Sequence, residues 1–282
     1  YKIMLIQFYK NFLNIEKITI PITGLPHSLN QVKIIQLSDF HYDGISLSTS
    51  LLMKAIQLSN AEKPDLILLT GDYITNSTNS VNKLASQLNL LTSKKGVYAV
   101  LGNHDTLHEN EKKFITQAFS HVDIKVLCNE IAYPLGEYLP IVGLADYWSQ
   151  EFNPEAVMQK LSPSQPRLVL SHNPDTASIL KKWRVDLQLS GHTHGGQIII
   201  PGFGPCLMLF QKIHKRIPRK LQRYFPLAKY SLSIVKNWKW GLGLHSIGKN
   251  KLYVNRGLGT YSPGRFFCSP ELTIITLINS ID

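Results

Sequence analysis

The stretch Val97-Tyr98-Ala99-Val100-Leu101-Gly102-Asn103-His104-Asp105 sets an apolar, β-favouring run directly against an amide, an imidazole and a carboxylate. A run that stops at Gly and then offers such groups is how an α/β sheet presents chemistry at its strand ends. Taken alone, Asn103 and Asp105 read equally well as turn and helix-cap residues, and His104 as a surface imidazole. Repetition shifts the balance. Asp39-Phe40-His41 follows the run from Val32 to Leu37, and Gly71-Asp72 follows Asp65 to Leu69. Ser171-His172 follows Arg167 to Leu170, and Gly191-His192-Thr193-His194 follows Asp186 to Leu189.

Between these runs lie helical patterns. Leu51, Leu52, Ala55, Ile56 and Leu58 recur with helical spacing behind Ser and Thr cap candidates, and Val81, Leu84, Ala85, Leu88 and Leu91 form a second amphipathic set. Two successive βαβ units predict a parallel sheet that carries the two acidic turns and the tetrapeptide on one carboxyl edge. Further strands are predicted over 124–127, 139–144, 197–200, 252–254 and 272–277, enough for two sheets packed face to face with helices outside.

The 282 residues are 44% hydrophobic, and no Pro/Gly/Ser-rich linker divides them, which favours one domain with an insertion over two small domains. Residues 1–30 read as an N-terminal apolar segment, 31–282 as the main domain, and 203–240 as the insertion. The opening Ile3-Met4-Leu5-Ile6, with Phe8, Tyr9, Phe12 and Leu13, is too short to span a bilayer. Because the chain begins at Tyr1, a preceding segment is expected, and the opening reads as the tail of an anchor, an interfacial helix or a packed helix. Cys128, Cys206 and Cys268 are odd in number and widely spaced, which predicts small buried hydrophobes rather than a disulfide framework or zinc ribbon.

Lys and Arg number 30 against 19 Asp and Glu, a net charge of +11, and no acidic residue stands between Asp186 and Glu271. A basic field of that kind points to phosphates, on a nucleic acid, a lipid headgroup or a membrane surface. Within it, Phe210, Ile213, Ile217, Leu221, Tyr224 and Phe225 recur at three or four, alongside Arg216, Arg219 and Arg223. Pro218 is expected to kink that helix or start another. An amphipathic lid lying on a membrane or gripping an acyl chain accounts for the pattern better than a merely solvated basic helix.

Asp, His and Asn side chains suit Mn, Fe or Zn, and a carboxylate can bridge two ions, which makes Asp72, isolated behind its Gly, the natural shared ligand. Two metals roughly 3.5–4 Å apart can activate a hydroxide and hold both oxygens of a phosphoryl transfer. In this order, the motifs DxH, GD, GNHD, SH and GHTH resemble the calcineurin-like metallophosphoesterases from about Val32 to the C-terminus. The resemblance implies a four-layer αββα sandwich, here with a basic amphipathic lid inserted. It implies one metal on Asp39, His41, Asp72 and His194, and a second on Asp72, Asn103, His172 and His192, with manganese expected first and iron or zinc as alternatives. His104 matches the family histidine that faces the substrate phosphate, stabilising the transferring group or protonating the leaving oxygen. Asp105 would orient His104 or cap the helix containing Phe114, Ile115 and Ala118. His27, His108, His121, His214 and His245 match no motif.

Gly191 to Gln197 with Pro201 and Gly204-Pro205, Asn255 to Thr260, and Phe267 to Leu272 resemble the branch that contains bacterial membrane-linked phosphodiesterases. That branch's best-defined substrate class is a UDP-2,3-diacylglucosamine, cut at the pyrophosphate in lipid A synthesis. The resemblance thus implies a lipid-linked nucleotide substrate and an anionic membrane surface as partners, with no nucleic acid. It also implies the cytoplasmic face of a bacterial inner membrane, peripheral or N-terminally anchored, or else the cell envelope. The lid residues Phe210, Ile213, Arg216, Ile217, Arg219, Leu221 and Arg223 would meet the lipid. The alternatives are a general envelope phosphodiesterase, a nuclease stacking single strands on Trp238, Trp240 and Tyr230, and a non-catalytic scaffold.

Overall fold

The computed structural model describes residues 12–75, 77–218, 220, 224 and 234–280. Residues 3–9 of the apolar opening, and Arg219, Leu221, Arg223, Phe225 and Tyr230 of the insertion, lie outside these.

Alternation along the central strands generates the layers. In β2 (Lys33–Leu37) Ile34 faces one cluster of buried residues and Ile35 another, and β3 (Leu66–Leu69) divides Leu66 and Leu68 from Ile67 and Leu69 in the same way. The strands β7 (Ile141–Gly143) and β8 (Leu168–Leu170) repeat this, with Ile141, Leu168 and Leu170 on one side and Val142 and Val169 on the other. With a period of two, a strand apolar on both faces must be covered on both. Ile34, Leu66, Leu68, Ile141, Leu168 and Leu170 therefore meet in one central core between two sheets. The opposite faces are covered by helices: α1 (Thr49–Ala61), α2 (Val81–Leu88) and α3 (Glu109–Ser120) on the first sheet, α4 (Glu155–Met158) and α5 (Ala177–Leu180) on the second. The result is the expected αββα sandwich.

The first sheet has the order β1-β14-β2-β3-β4-β5, where β1 is Asn14–Thr23, β4 Val97–Ala99, β5 Ile124–Val126 and β14 Glu271–Ser280. The second has the order β12-β13-β9-β8-β7-β6, where β6 is Glu130–Ala132, β9 Leu187–Ser190, β12 Gly243–Ile247 and β13 Asn250–Val254. From β2 to β5, and from β13 through β9 to β7, neighbours are parallel, so both sheets turn carboxyl ends toward the same edge. The run around 197–200 joins neither sheet. Its β10 (Ile199–Ile200) pairs with β11 (Gly204–Pro205) as a two-stranded hairpin, which leads into α6 (Cys206–His214). Inside the leading segment 1–30, β1 pairs in parallel with β14 along its whole length and buries Ile20 and Ile22.

Candidate metal centre

The strand ends converge at the edge between the sheets. Asp39 and His41 follow β2 and Asp72 follows β3, and these two turns run side by side, with Asp39 N–H donating to Gly71 O at 2.9 Å and His41 N–H to Asp72 O at 3.0 Å. From the second sheet come His172 after β8, and His192 and His194 after β9. Gln36 ties the sheets behind them: its amide donates to Thr70 Oγ1 and to Ser190 O, both at 3.0 Å. Two clusters of donor atoms result, Asp39, His41 and His194 in one, Asp72, His172 and His192 in the other. Asp72 Oδ2 lies 3.4 Å from His41 Nε2 and 3.1 Å from His172 Nε2, so one oxygen reaches both clusters. The Asn103 amide oxygen is buried without a hydrogen-bond partner.

The glycines before these residues have a steric reason. A Cβ on Gly102 would fall 2.2 Å from Asp72 Oδ1, and one on Gly191 would fall 2.2 Å from Asp39 Oδ2. Carboxylates lie against bare backbone at both places, which only glycine allows. Asp39, His41, Asp72, His192 and His194 all have φ between 41° and 71°. Non-glycine residues in the left-handed region are strained, and such strain gathers at functional sites.

Each imidazole is oriented by a backbone carbonyl. Nδ1–H donates to Ile74 O in His41 (3.0 Å), to Thr70 O in His172 (2.7 Å), to Gly259 O in His194 (3.2 Å) and to Thr75 O in His104 (2.8 Å). In His192 it is Nε2–H that donates, to Ile234 O at 2.9 Å. This is the arrangement that fixes the tautomer of a metal-ligating histidine and frees its other nitrogen. The freed Nε2 atoms of His41 and His194 then face each other at 3.2 Å. Likewise His172 Nε2 faces an Asp72 oxygen at 3.1 Å, and neither His172 Nε2 nor Asp39 Oδ2 has a hydrogen-bonding partner. Lone pairs opposed at such distances in a buried site call for positive charge between them, a proton or a metal cation. The donor set therefore fits two divalent cations.

The charges agree with this. Burial opposes ionisation of Asp72, yet the His172 and His41 imidazoles hold it well below the ordinary carboxylate range. Burial likewise works against protonation of His172, but the Asp72 carboxylate outweighs it and pushes His172 up to about 10. His192 is pushed down to about 4 by burial and by His172, and His194 falls well below its usual value through burial, His41 and Arg265. Neutral imidazoles are the metal-binding form.

A cavity of about 970 Å³ is lined by Asp72, Asn103, His104, His192 and His194, together with the apolar Ile198, Leu207, Phe210 and Ile234. Of the proposed lid residues, Phe210 on α6 lines this cavity among the described residues, whereas Ile213 (52% exposed), Arg216 and Ile217 do not. Asp105 departs from both roles expected of it. Its carboxylate accepts from the backbone N–H groups of Asp72 (2.7 Å), Tyr73 (2.8 Å), Gly102 (2.8 Å) and Ile74 (3.3 Å). It clamps the Gly71 and Gly102 turns together, Thr75 orients His104, and His108 rather than Asp105 occupies the N-cap of α3.

Sequence reasoning missed Tyr261 and Trp148. The Tyr261 hydroxyl bonds His41 Nδ1, and the Trp148 ring stands edge-on to His192 with centroids 4.9 Å apart; both residues line the cavity. Neither sits in a ligand motif. They reach the site only through the chain's return from distant elements.

Residues 32–196 match the family model described as calcineurin-like phosphoesterase. This chain belongs to that family. The phosphoesterase is 32% identical to phosphodiesterase YaeI of Escherichia coli over 251 residues, covering 87% of this chain and 82% of that one. It is 30% identical to UDP-2,3-diacylglucosamine pyrophosphatase LpxG of Chlamydia muridarum over 295 residues, covering 88% and 84%. It is also 31% identical to an uncharacterized metallophosphoesterase, YkuE, of Bacillus subtilis, covering 92% and 83%. The phosphoesterase is thus a metal-dependent hydrolase of phosphoric esters. Two divalent cations, when bound, supply a nucleophile at neutral pH and Lewis acidity toward phosphoryl oxygens. The chain's own residues do the rest. Thr75 O holds the Nδ1 proton of His104, which fixes the ring and leaves Nε2 as its other nitrogen. Buried Asp105 keeps the two turns that carry Asp72, Asn103 and His104 in register.

Proposed function

We propose that the protein hydrolyses the pyrophosphate of a lipid-linked nucleotide, with UDP-2,3-diacylglucosamine as substrate and UMP and 2,3-diacylglucosamine 1-phosphate as products. The observation that carries this reading is one cavity with two kinds of lining: histidines and Asp72, and the apolar Ile198, Leu207, Phe210 and Ile234. Pockets that bind largely apolar ligands pair an apolar lining with a few polar groups. Similarity to the chlamydial pyrophosphatase supports the same substrate. Asp39, His41, Asp72, Asn103, His172, His192 and His194 would hold the two cations, manganese first, and His104 would act on the phosphoryl group. Exposed Phe203 and Ile213, beside Lys212, Lys215 and Arg216, would rest the cavity mouth on an anionic membrane surface. No helix among the described residues is long and apolar enough to cross a membrane.

Similarity to the Escherichia coli phosphodiesterase favours a second reading, a general envelope phosphodiesterase. The nuclease alternative is weakened because Trp238, one of its stacking aromatics, is buried. The test is direct competition: purified protein with Mn²⁺ is offered UDP-2,3-diacylglucosamine, a single-stranded oligonucleotide and a chromogenic phosphodiester. Preferential release of UMP is expected. Efficient cleavage of the chromogenic diester with no UMP release would leave the general phosphodiesterase.

A further inference from the structure

Arg265 is fully buried, and its hydrogen-bond partners are backbone carbonyls, the Thr260 hydroxyl and the Cys268 sulfur. Nε donates to Thr260 Oγ1 at 3.1 Å; Nη1 to Cys268 O at 3.2 Å and His194 O at 3.4 Å; Nη2 to Gly259 O at 2.6 Å, Arg256 O at 2.7 Å and Gly257 O at 3.1 Å. Desolvating a guanidinium is costly, and only its rigid planar fork can satisfy acceptors from three chain segments at once.

What those segments do gives the arrangement its meaning. The Gly259 carbonyl bonded by Arg265 is the one that accepts Nδ1–H of His194 at 3.2 Å. Gly259 N–H donates to Asp39 O at 2.7 Å, Leu258 N–H donates to Ser38 O at 3.0 Å, and a Cβ on Gly257 would come within 2.5 Å of Asp39 Cβ. The loop riveted by Arg265 is therefore both the seat of Asp39 and the orienting acceptor of His194. The other cluster is oriented by Thr70 O, Ile234 O and Asp105, none of which Arg265 touches, and its tie to the riveted loop is indirect, through His192 N–H donating to Asp39 Oδ1 at 2.8 Å.

We propose that Arg265 is a positioning residue chiefly for the Asp39–His41–His194 cluster. Through the Gly257–Thr260 loop it sets cation affinity at that cluster more strongly than at the Asp72–His172–His192 cluster. The proposal rests on the two-cation reading of the site and adds to it an inequality between the two positions.

The test is a Mn²⁺ titration of metal-free protein, followed by calorimetry and by metal analysis after desalting. Wild-type protein should take up two cations. Arg265→Lys keeps the charge but loses the fork, and should weaken one site by roughly 10–100-fold while weakening the other clearly less. Two backgrounds identify which site is affected. With His172→Ala, the added lysine should weaken the remaining site by the same factor; with His41→Ala, the loss should be clearly smaller. Equal weakening of both sites in folded protein, or weakening of neither, overturns the proposal. If the lysine variant does not fold, Thr260→Val removes a single acceptor of the guanidinium, and a smaller loss, again greater at the same site, is expected; no loss, or equal loss at both, overturns it. Uptake of no cation by wild-type protein would sink the two-cation reading, and this inference with it.

Discussion

Asp72 offers one carboxylate oxygen to His41 and His172 together, 3.4 and 3.1 Å away, so its loss cannot be compensated within either cluster. Asp72→Ala should reduce metal content from two equivalents to less than one and abolish hydrolysis of a chromogenic diester; two bound metals with wild-type turnover would disprove the shared role. His104 and Asp105 are adjacent but should fail differently. His104→Ala should keep both metals and lose roughly 10²–10⁴-fold in kcat. Asp105→Asn replaces an acceptor of four backbone N–H groups by an amide that carries donors of its own, and should cost at least about 2 kcal/mol of stability and lower metal content. Reading both by thermal melting and metal analysis separates chemistry from scaffolding. His172 adds a pH signature. In metal-free protein it is held at about 10, above the 6.5 of an unfolded chain, so its contribution to stability is complete below pH 6.5 and is lost as pH rises through 10. The melting temperature in a chelator should fall across that window, and His172→Gln should flatten the fall. The pair's proton must leave when a cation enters, so binding enthalpy at pH 7.5 should vary with the buffer's ionisation enthalpy.

At the scale of elements, α6 carries the cavity's apolar wall through Leu207 and Phe210, while its exposed Ile213 points elsewhere. Leu207→Ser with Phe210→Ser should raise KM for a diacylated substrate by at least about tenfold, since both side chains are open to the cavity and full burial of each against an acyl chain is worth ~1.5–3 kcal/mol. Cleavage of a small water-soluble diester should persist; equal loss of both activities in folded protein would make α6 part of the chemistry. The legibility of the sequence follows the same physics. Central strands such as Ile34–Leu37 and Leu66–Leu69 are covered on both faces, so they read as uninterrupted apolar runs, and the ligand candidates stand directly at their ends. Edge elements are less legible. The short β6 and the half-exposed Gly243–Ile247 lack such a run, and β1 went unread although Ile18, Ile20 and Ile22 alternate, because the apolar opening before it suggested a helix. Asp105 was misread because a carboxylate after His looks like an orienting partner, while its true partners are main-chain groups contributed by residues 72–74 as well as Gly102. Tyr261 is invisible because it reaches His41 across 220 positions, and Arg265 because most of its acceptors are main-chain carbonyls within nine residues of it, which no motif announces.

For the whole molecule, the charge asymmetry is the property that reaches furthest. The acid-free stretch from residue 187 to 270 contains the hairpin, α6 and the loop that closes the cavity, so one region combines cations with exposed Ile200, Phe203, Ile213 and Phe267. Vesicles containing anionic lipid should bind the protein at low ionic strength and release much of it as salt rises, and zwitterionic vesicles should bind weakly throughout. Equal binding to both would argue that charge plays no part. Co-sedimentation across a salt series measures it.

Each ligand cluster draws residues from both sheets, and the first sheet sets its earliest strand, β1, beside its last, β14. On the ribosome this imposes an order of events. Neither cluster has its full set of donors until His192 and His194 have been synthesised, and β2 lacks one of its neighbours until residues beyond 270 emerge. A nascent chain should therefore hold cations only weakly until His194 has emerged, and firm binding is expected only once β14 has paired with β2.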